Sequence, residues 1–163
     1  MYSHWFLGQL GQNWSDACAD NLAEYGRILE VPQQTEFYRS HVSGADNRVF
    51  VIISDALRFE VAASLSEQLR RETQSKVDLG SAQGIFPTIT KFGMAALLPH
   101  KKLEVVEKGN GQLGILADGT PTDANYRDKI LKQAQKASVA LKYADIIGMK
   151  RAERSALVKR EKQ

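Results

Sequence analysis

Apolar residues fall along the chain in two rhythms. Residues 49–53, Val-Phe-Val-Ile-Ile, are apolar without a break, and the run stops at Ser54 and Asp55. A strand apolar on both faces is what a parallel sheet covered by helices requires, so Arg48–Ser54 predicts a central strand. The rhythm then changes: Leu57, Val61, Leu65, Gln68 and Leu69 recur at helical spacing. That helix ends in Arg70 and Arg71, cations that suit the negative end of a helix dipole. "SKVDLGSAQGIF" alternates in its first half and predicts a second strand. "PTITKFGMAALLPH" predicts a turn, a short helix and a stop at Pro99.

The flanking regions read differently. From Ser3 to about Arg27, Trp5, Phe6, Leu10, Trp14, Cys18, Leu22 and Tyr25 form one helical stripe, with Ser3 as N-cap and Gly26 where the helix loosens. Two tryptophans on that stripe suit a partner surface or an ordinary core alike. Residues 31–47 read as connector, with Pro32, Gly44 and an Asp46–Asn47 turn signal. Beyond Pro99, Gly-rich pieces predict loop with one or two minor strands. Thr122–Gln135 predicts a helix, "ASVALKYADII" a short strand entering a helical turn, and "KRAERSALVKREKQ" an exposed final helix.

The expected fold is therefore α/β, a three-layer core with a mainly parallel sheet. Residues 1–45 form a helical segment and connector, and residues 46–163 the core domain. A right-handed crossover links the two expected strands.

Composition narrows the setting. At 163 residues, 43% hydrophobic and 25% charged, the chain fits one ordinary domain. No apolar run is long enough to span a bilayer, and the first residues do not resemble a signal peptide. Cys18 is the single cysteine, so an intrachain disulfide and a Cys-based zinc site are excluded. A cytoplasmic location is the default expectation. The net charge of +3 is unevenly spread: residues 1–125 carry 11 basic and 15 acidic side chains, residues 126–163 carry 11 and 4. Such a basic segment can touch nucleic acid. Here the charges are dispersed and only Tyr126 and Tyr143 interleave, which fits a solvated helix face better.

Two positions attract chemistry. In parallel α/β sheets ligands bind outside the carboxyl ends of the strands. Asp55 closes one expected strand, and Thr88 and Thr90 follow the other, so fold logic brings them to one rim. Taken alone, each reads as a helix N-cap. Together, a carboxylate and a hydroxyl can share a divalent cation such as zinc, which would make the hydroxyl a nucleophile at neutral pH. The start of the following helix would offer N–H groups to a phosphoryl oxygen.

"VFVIISDALRFEVAASLSEQL", "FPTITKFGMAALLPH" and "DANYRDKIL" resemble the PglZ domain of BREX-type phage-resistance systems, a branch of the alkaline phosphatase superfamily. The resemblance runs from about Arg48 to the C-terminus. It implies a metal-dependent phosphatase or phosphodiesterase with Asp55 as metal ligand. It implies Thr90, the second hydroxyl of the Pro-Thr-x-Thr pattern, as nucleophile and metal-bound group. Partners would be other phage-defence proteins, and the metal, most simply zinc, would belong to the full-length protein. Such sites need several more Asp and His ligands. His4, His41 and His100 lack metal-ligand spacing, so the missing ligands are expected beyond Gln163. The chain then reads as an N-terminal part of the domain, binding little or no metal and inactive in isolation.

Other readings fit less well. A haloacid-dehalogenase phosphatase needs a second carboxylate where Leu57 stands. A receiver domain wants further acidic residues after an earlier strand, and a dinucleotide fold wants a Gly-rich turn where "DALR" lies. The alternative from another class is a non-catalytic interaction module that keeps the phosphatase fold. Metal content separates it from the enzyme.

Overall fold

A computed structural model describes residues 2–28, 30–109 and 111–159. A π-helical turn, Tyr2–Phe6, runs into α1 (Leu7–Tyr25). The helical coil already begins at Tyr2, so Ser3 is not its N-cap. Gly26 ends α1 at φ 64° and donates its N–H to Leu22 O at 3.1 Å. A left-handed residue is needed there, and glycine reaches that region without a Cβ clash. A 3₁₀ turn, Gln34–Glu36, leads into α2 (Phe37–His41), and α3 spans Phe59–Glu72.

The expected strand at Arg48–Ser54 is not formed among the described residues. The segment has no regular secondary structure and is exposed; Ile52 is 91% accessible and Phe50 68%. A strand exists only through a ladder partner, and among the described residues no strand pairs with it. Val61, Leu65 and Leu69 of α3 are likewise exposed. The second expected strand is reduced to one parallel bridge, Gln33 to Gln83. The parallel three-layer core is therefore not seen in these residues.

The ordered centre lies further along. Helix α4 (Thr90–Ala96) is followed by β1 (Leu103–Lys108), β2 (Gln112–Ala117) and β3 (Thr120–Pro121), a three-stranded antiparallel sheet in the order β1-β2-β3. Leu103 pairs with Ala117, and Val105 with Ile115. Asp118 (φ 47°) and Gly119 (φ 79°) make the tight β2–β3 link, and Asp-Gly is the pair favoured when both turn residues need positive φ. Region 103–121, expected to be mostly loop, is the best-paired part of the fold. Phe92 and Ala95 of α4 pack on Ile115, with Ile85 and Leu103 at the margin. Leu98 and Ala117 pack with Ile130 of α5 (Arg127–Ala134). Lys91 donates to Leu113 O at 2.7 Å, tying the start of α4 to β2. One side of α4 is thus fixed by apolar burial and by one charged donor.

Helix α5 starts later than expected because Thr122 is engaged elsewhere: its N–H and its hydroxyl both donate to Ile115 O, each at 3.0 Å. Helices α6 (Tyr143–Gly148) and α7 (Arg151–Lys159) are the last elements of the described residues. Residues 137–142, expected to open as a short strand, form none. The expected continuation of the last helix over 160–163 lies outside them.

The hairpin carries a pH-sensitive tie. Asp118 accepts the N–H groups of Lys101, at 3.1 and 3.0 Å, and of Lys102, at 2.9 Å. These backbone donors hold its carboxyl below the usual range. Asp123, beside Lys108, and Asp128, beside Lys132, are lowered too. Groups of this kind stabilise the fold above the unfolded carboxyl pKa, about 3.9, and that stability is lost as pH falls through the lower folded value. Thermal melts of wild type should fall more between pH 6 and pH 3 than those of Asp118→Asn. Equal pH dependence in the two proteins would count against the tie.

Candidate functional site

Asp55 and Thr90 meet directly. The Thr90 hydroxyl donates to Asp55 Oδ2 at 3.2 Å, across 35 residues of sequence. Both side chains lie at the surface. Asp55 sits in a turn with Ala56, whose N–H donates to Asp55 Oδ1 at 3.1 Å. Ala56 holds φ 57°, a conformation that costs a non-glycine residue about 1–2 kcal/mol. Such strain persists where surrounding structure over-determines it. The turn delays α3 until Phe59, so the carboxylate stands free of the helix.

Neither residue is a cap. The N-cap of α3 is Arg58 and that of α4 is Ile89, and neither helix has a side-chain capping bond. Thr90 is the first residue of α4, which has seven residues. The bland reading of each residue, an oxygen spent on the first turn of a helix, is thereby removed. Thr88 is exposed, with its methyl group on the side of Gly84.

Two histidines are engaged elsewhere: the His41 ring lies tilted against Phe37, with centroids 5.3 Å apart, and His100 Nδ1 lies 2.6 Å from Leu98 O. His4 is in the first π-helical turn. Among the described residues no group of three or more His, Cys, Asp or Glu side chains could hold a metal ion. Asp55 Oδ2 and Thr90 Oγ1 still fit as two members of a donor set. Both are hard oxygens, and ligands about 2.0–2.2 Å from one cation lie about 3.0–3.5 Å apart, which brackets the observed 3.2 Å.

One structural contributor had no sequence signal. Gln34, in the expected connector, accepts the N–H of Ile85 and donates to Gly93 O, both at 3.2 Å. A glutamine outside any periodic segment gives no hint of partners 51 and 59 residues away.

Residues 36–163 match the family of the BREX system PglZ alkaline phosphatase-like domain. The chain is 38% identical over 166 residues to the alkaline phosphatase-like protein BrxZ of Escherichia coli O9:H4 (strain HS), covering 98% of this chain and 19% of that protein. It is 37% identical over 154 residues to the alkaline phosphatase-like protein PglZ of Bacillus cereus (strain H3081.97), covering 93% of this chain and 18% of that one. The chain thus spans about a fifth of the length of these relatives. No solved structure matches it. With its matched segment holding both Asp55 and Thr90, the chain belongs to the PglZ family of BREX alkaline phosphatase-like domains.

Proposed function

We propose that this chain supplies the nucleophile and one metal ligand of a phosphatase or phosphodiesterase that works in a phage-defence system. The observation that carries the reading is the Thr90–Asp55 hydrogen bond at 3.2 Å, made by two residues that cap nothing. Thr90 Oγ1 attacks phosphorus; the Oγ–P bond forms as the bond to the leaving oxygen breaks, and that oxygen departs with the electron pair and takes up, through solvent, the proton that Thr90 gives up. Water then attacks the phosphothreonine; its O–P bond forms as the Oγ–P bond breaks, and the proton it releases returns to Thr90 Oγ1. Asp55 orients the hydroxyl by accepting its proton in a hydrogen bond, which turns the oxygen lone pairs away from the carboxylate. A divalent cation, zinc being the one the family resemblance implies, would be held by Asp55 and Thr90 with further donors, and when bound supplies a lowered hydroxyl pKa and positive charge.

The same reading explains the exposed apolar strip. In a polypeptide of the relatives' length, residues 48–54 become a central strand of a parallel sheet, with α3 covering one face. Asp55 then stands at the strand's carboxyl end, where α/β folds bind ligands. With Asp55 and Thr90 as its donors among the described residues, the 163-residue chain by itself should hold metal weakly and turn over little.

A second reading has one observation in its favour. Trp5, Leu10 and Trp14 of the first helical segment are all more than half exposed, which suits an interaction module that docks on other defence proteins. The deciding experiment measures bound divalent metal and hydrolysis of bis-(4-nitrophenyl) phosphate by the full-length polypeptide with zinc, magnesium or manganese. Stoichiometric metal with metal-dependent turnover supports the enzyme. A metal-free, inert protein overturns it in favour of the module.

A further inference from the structure

Ile28, Pro32 and Gln34 precede the segment that matches the PglZ family, yet they are laced to the strip leading into Thr90. Gln34 N–H donates to Gln83 O at 2.9 Å, and Gln83 N–H donates to Pro32 O at 2.8 Å. Ile28 N–H donates to the Gln83 side-chain oxygen at 2.8 Å. The Gln34 side chain then reaches further. Its oxygen takes the Ile85 N–H, and its amide nitrogen donates to Gly93 O, three residues past Thr90. A Cβ on Gly93 would lie 3.3 Å from that nitrogen. Glycine is disfavoured within a helix relative to alanine, and here it leaves room for the amide.

Resting on the reading of Thr90 as nucleophile, we propose that Gln34 is a positioning residue, which clamps α4 to the 83–85 strip and so sets where the Thr90 hydroxyl stands. A seven-residue helix has little stability of its own and takes its position from tertiary contacts. Phe92 and Ala95 hold α4 against β2. Gln34 holds it against the connector. Since a displacement of about 1 Å at a reacting group can cost on the order of 10²-fold in rate, a loosened clamp should appear in kcat. The clamp also joins the end of α1 to the site, through Ile28, Gln83 and Gln34.

The test uses the full-length polypeptide carrying Gln34→Met, which keeps the length and loses both bonds, and Gln34→Glu, which keeps the acceptor for Ile85 and loses the donor to Gly93. Kinetics on bis-(4-nitrophenyl) phosphate are paired with amide hydrogen exchange of 83–96, and of β1 and β2 as a folding control. We expect kcat to fall roughly tenfold to a hundredfold in both variants, with KM within about twofold. Exchange in α4 should quicken in both, the Ile85 amide should quicken only in Gln34→Met, and the sheet should stay unchanged. Unchanged kcat with unchanged α4 exchange overturns the proposal, as does equal loosening of sheet and helix, which would make Gln34 a general stabiliser. If the wild-type protein shows no turnover, the phosphoesterase reading fails, and the exchange of α4 against the sheet still decides whether Gln34 clamps the helix.

Discussion

In a polypeptide of the relatives' length that carries this segment, Thr90→Ala is expected to abolish phosphoester turnover while divalent metal stays bound. The loss should be on the order of 10⁴-fold or more, because removal of a nucleophile leaves only what binding and electrostatics provide. The metal should remain because Asp55 and donors outside this segment do not depend on the hydroxyl. Asp55→Asn should behave differently. It keeps the shape and a hydrogen-bond acceptor for Thr90 but removes the charge that a cation needs, so metal content and rate should fall together. Thr90→Ser retains an oxygen on a less restrained side chain and should keep most of the activity. Metal analysis alongside a nitrophenyl phosphodiester assay separates the three. Full turnover by Thr90→Ala would end the assignment, since that variant lacks the oxygen that attacks phosphorus.

How far the sequence carried the fold depended on whether an element is local. Helices α1 and α3 were readable because their spacing is a property of neighbouring residues, and α4 because Pro99 and the preceding Pro-Thr-x-Thr bound it. The β2–β3 turn has a local signal, Asp118–Gly119, but the glycines around it favour a loop. The sheet it closes pairs residues 3 to 14 positions apart, a range that reasoning about hairpins could have found. The 48–54 segment is the opposite case. Its composition states what surroundings it wants, and a strand's pairing is set by other parts of a chain. The Asp55–Thr90 pair was expected from the rim of a parallel sheet. Here it meets without that sheet, held by the Ala56 turn on one side and by the packing of α4 on the other. Gln34 was invisible because its partners are known only once the chain is folded.

The same 48–54 segment yields the sharpest contrast between a short chain and a long one. Ile52 is 91% exposed here, and its neighbours Val51 and Ile53 are 45% and 48% exposed. An aspartate at position 52 would therefore stay hydrated in the 163-residue chain, and Ile52→Asp should move its stability by no more than about 0.5 kcal/mol, as surface changes do. In the full-length polypeptide the proposed central strand is covered on both faces. An unpaired carboxylate there must be desolvated, or protonated against its ordinary pKa, at a cost of several kcal/mol. That is comparable to the whole stability of a typical domain, about 5–15 kcal/mol. Ile52→Asp should thus leave the short chain's denaturant midpoint nearly unchanged and cause the long one to unfold or aggregate. Ile52→Val, which keeps an apolar β-branched residue, should cost only about 0.5–1.5 kcal/mol in the long chain. Urea titrations of the four variant proteins, with both wild types beside them, provide the comparison. If Ile52→Asp is as harmless in the long polypeptide as in the short one, residues 48–54 are not an interior strand, and Asp55 does not stand at the carboxyl end of a sheet.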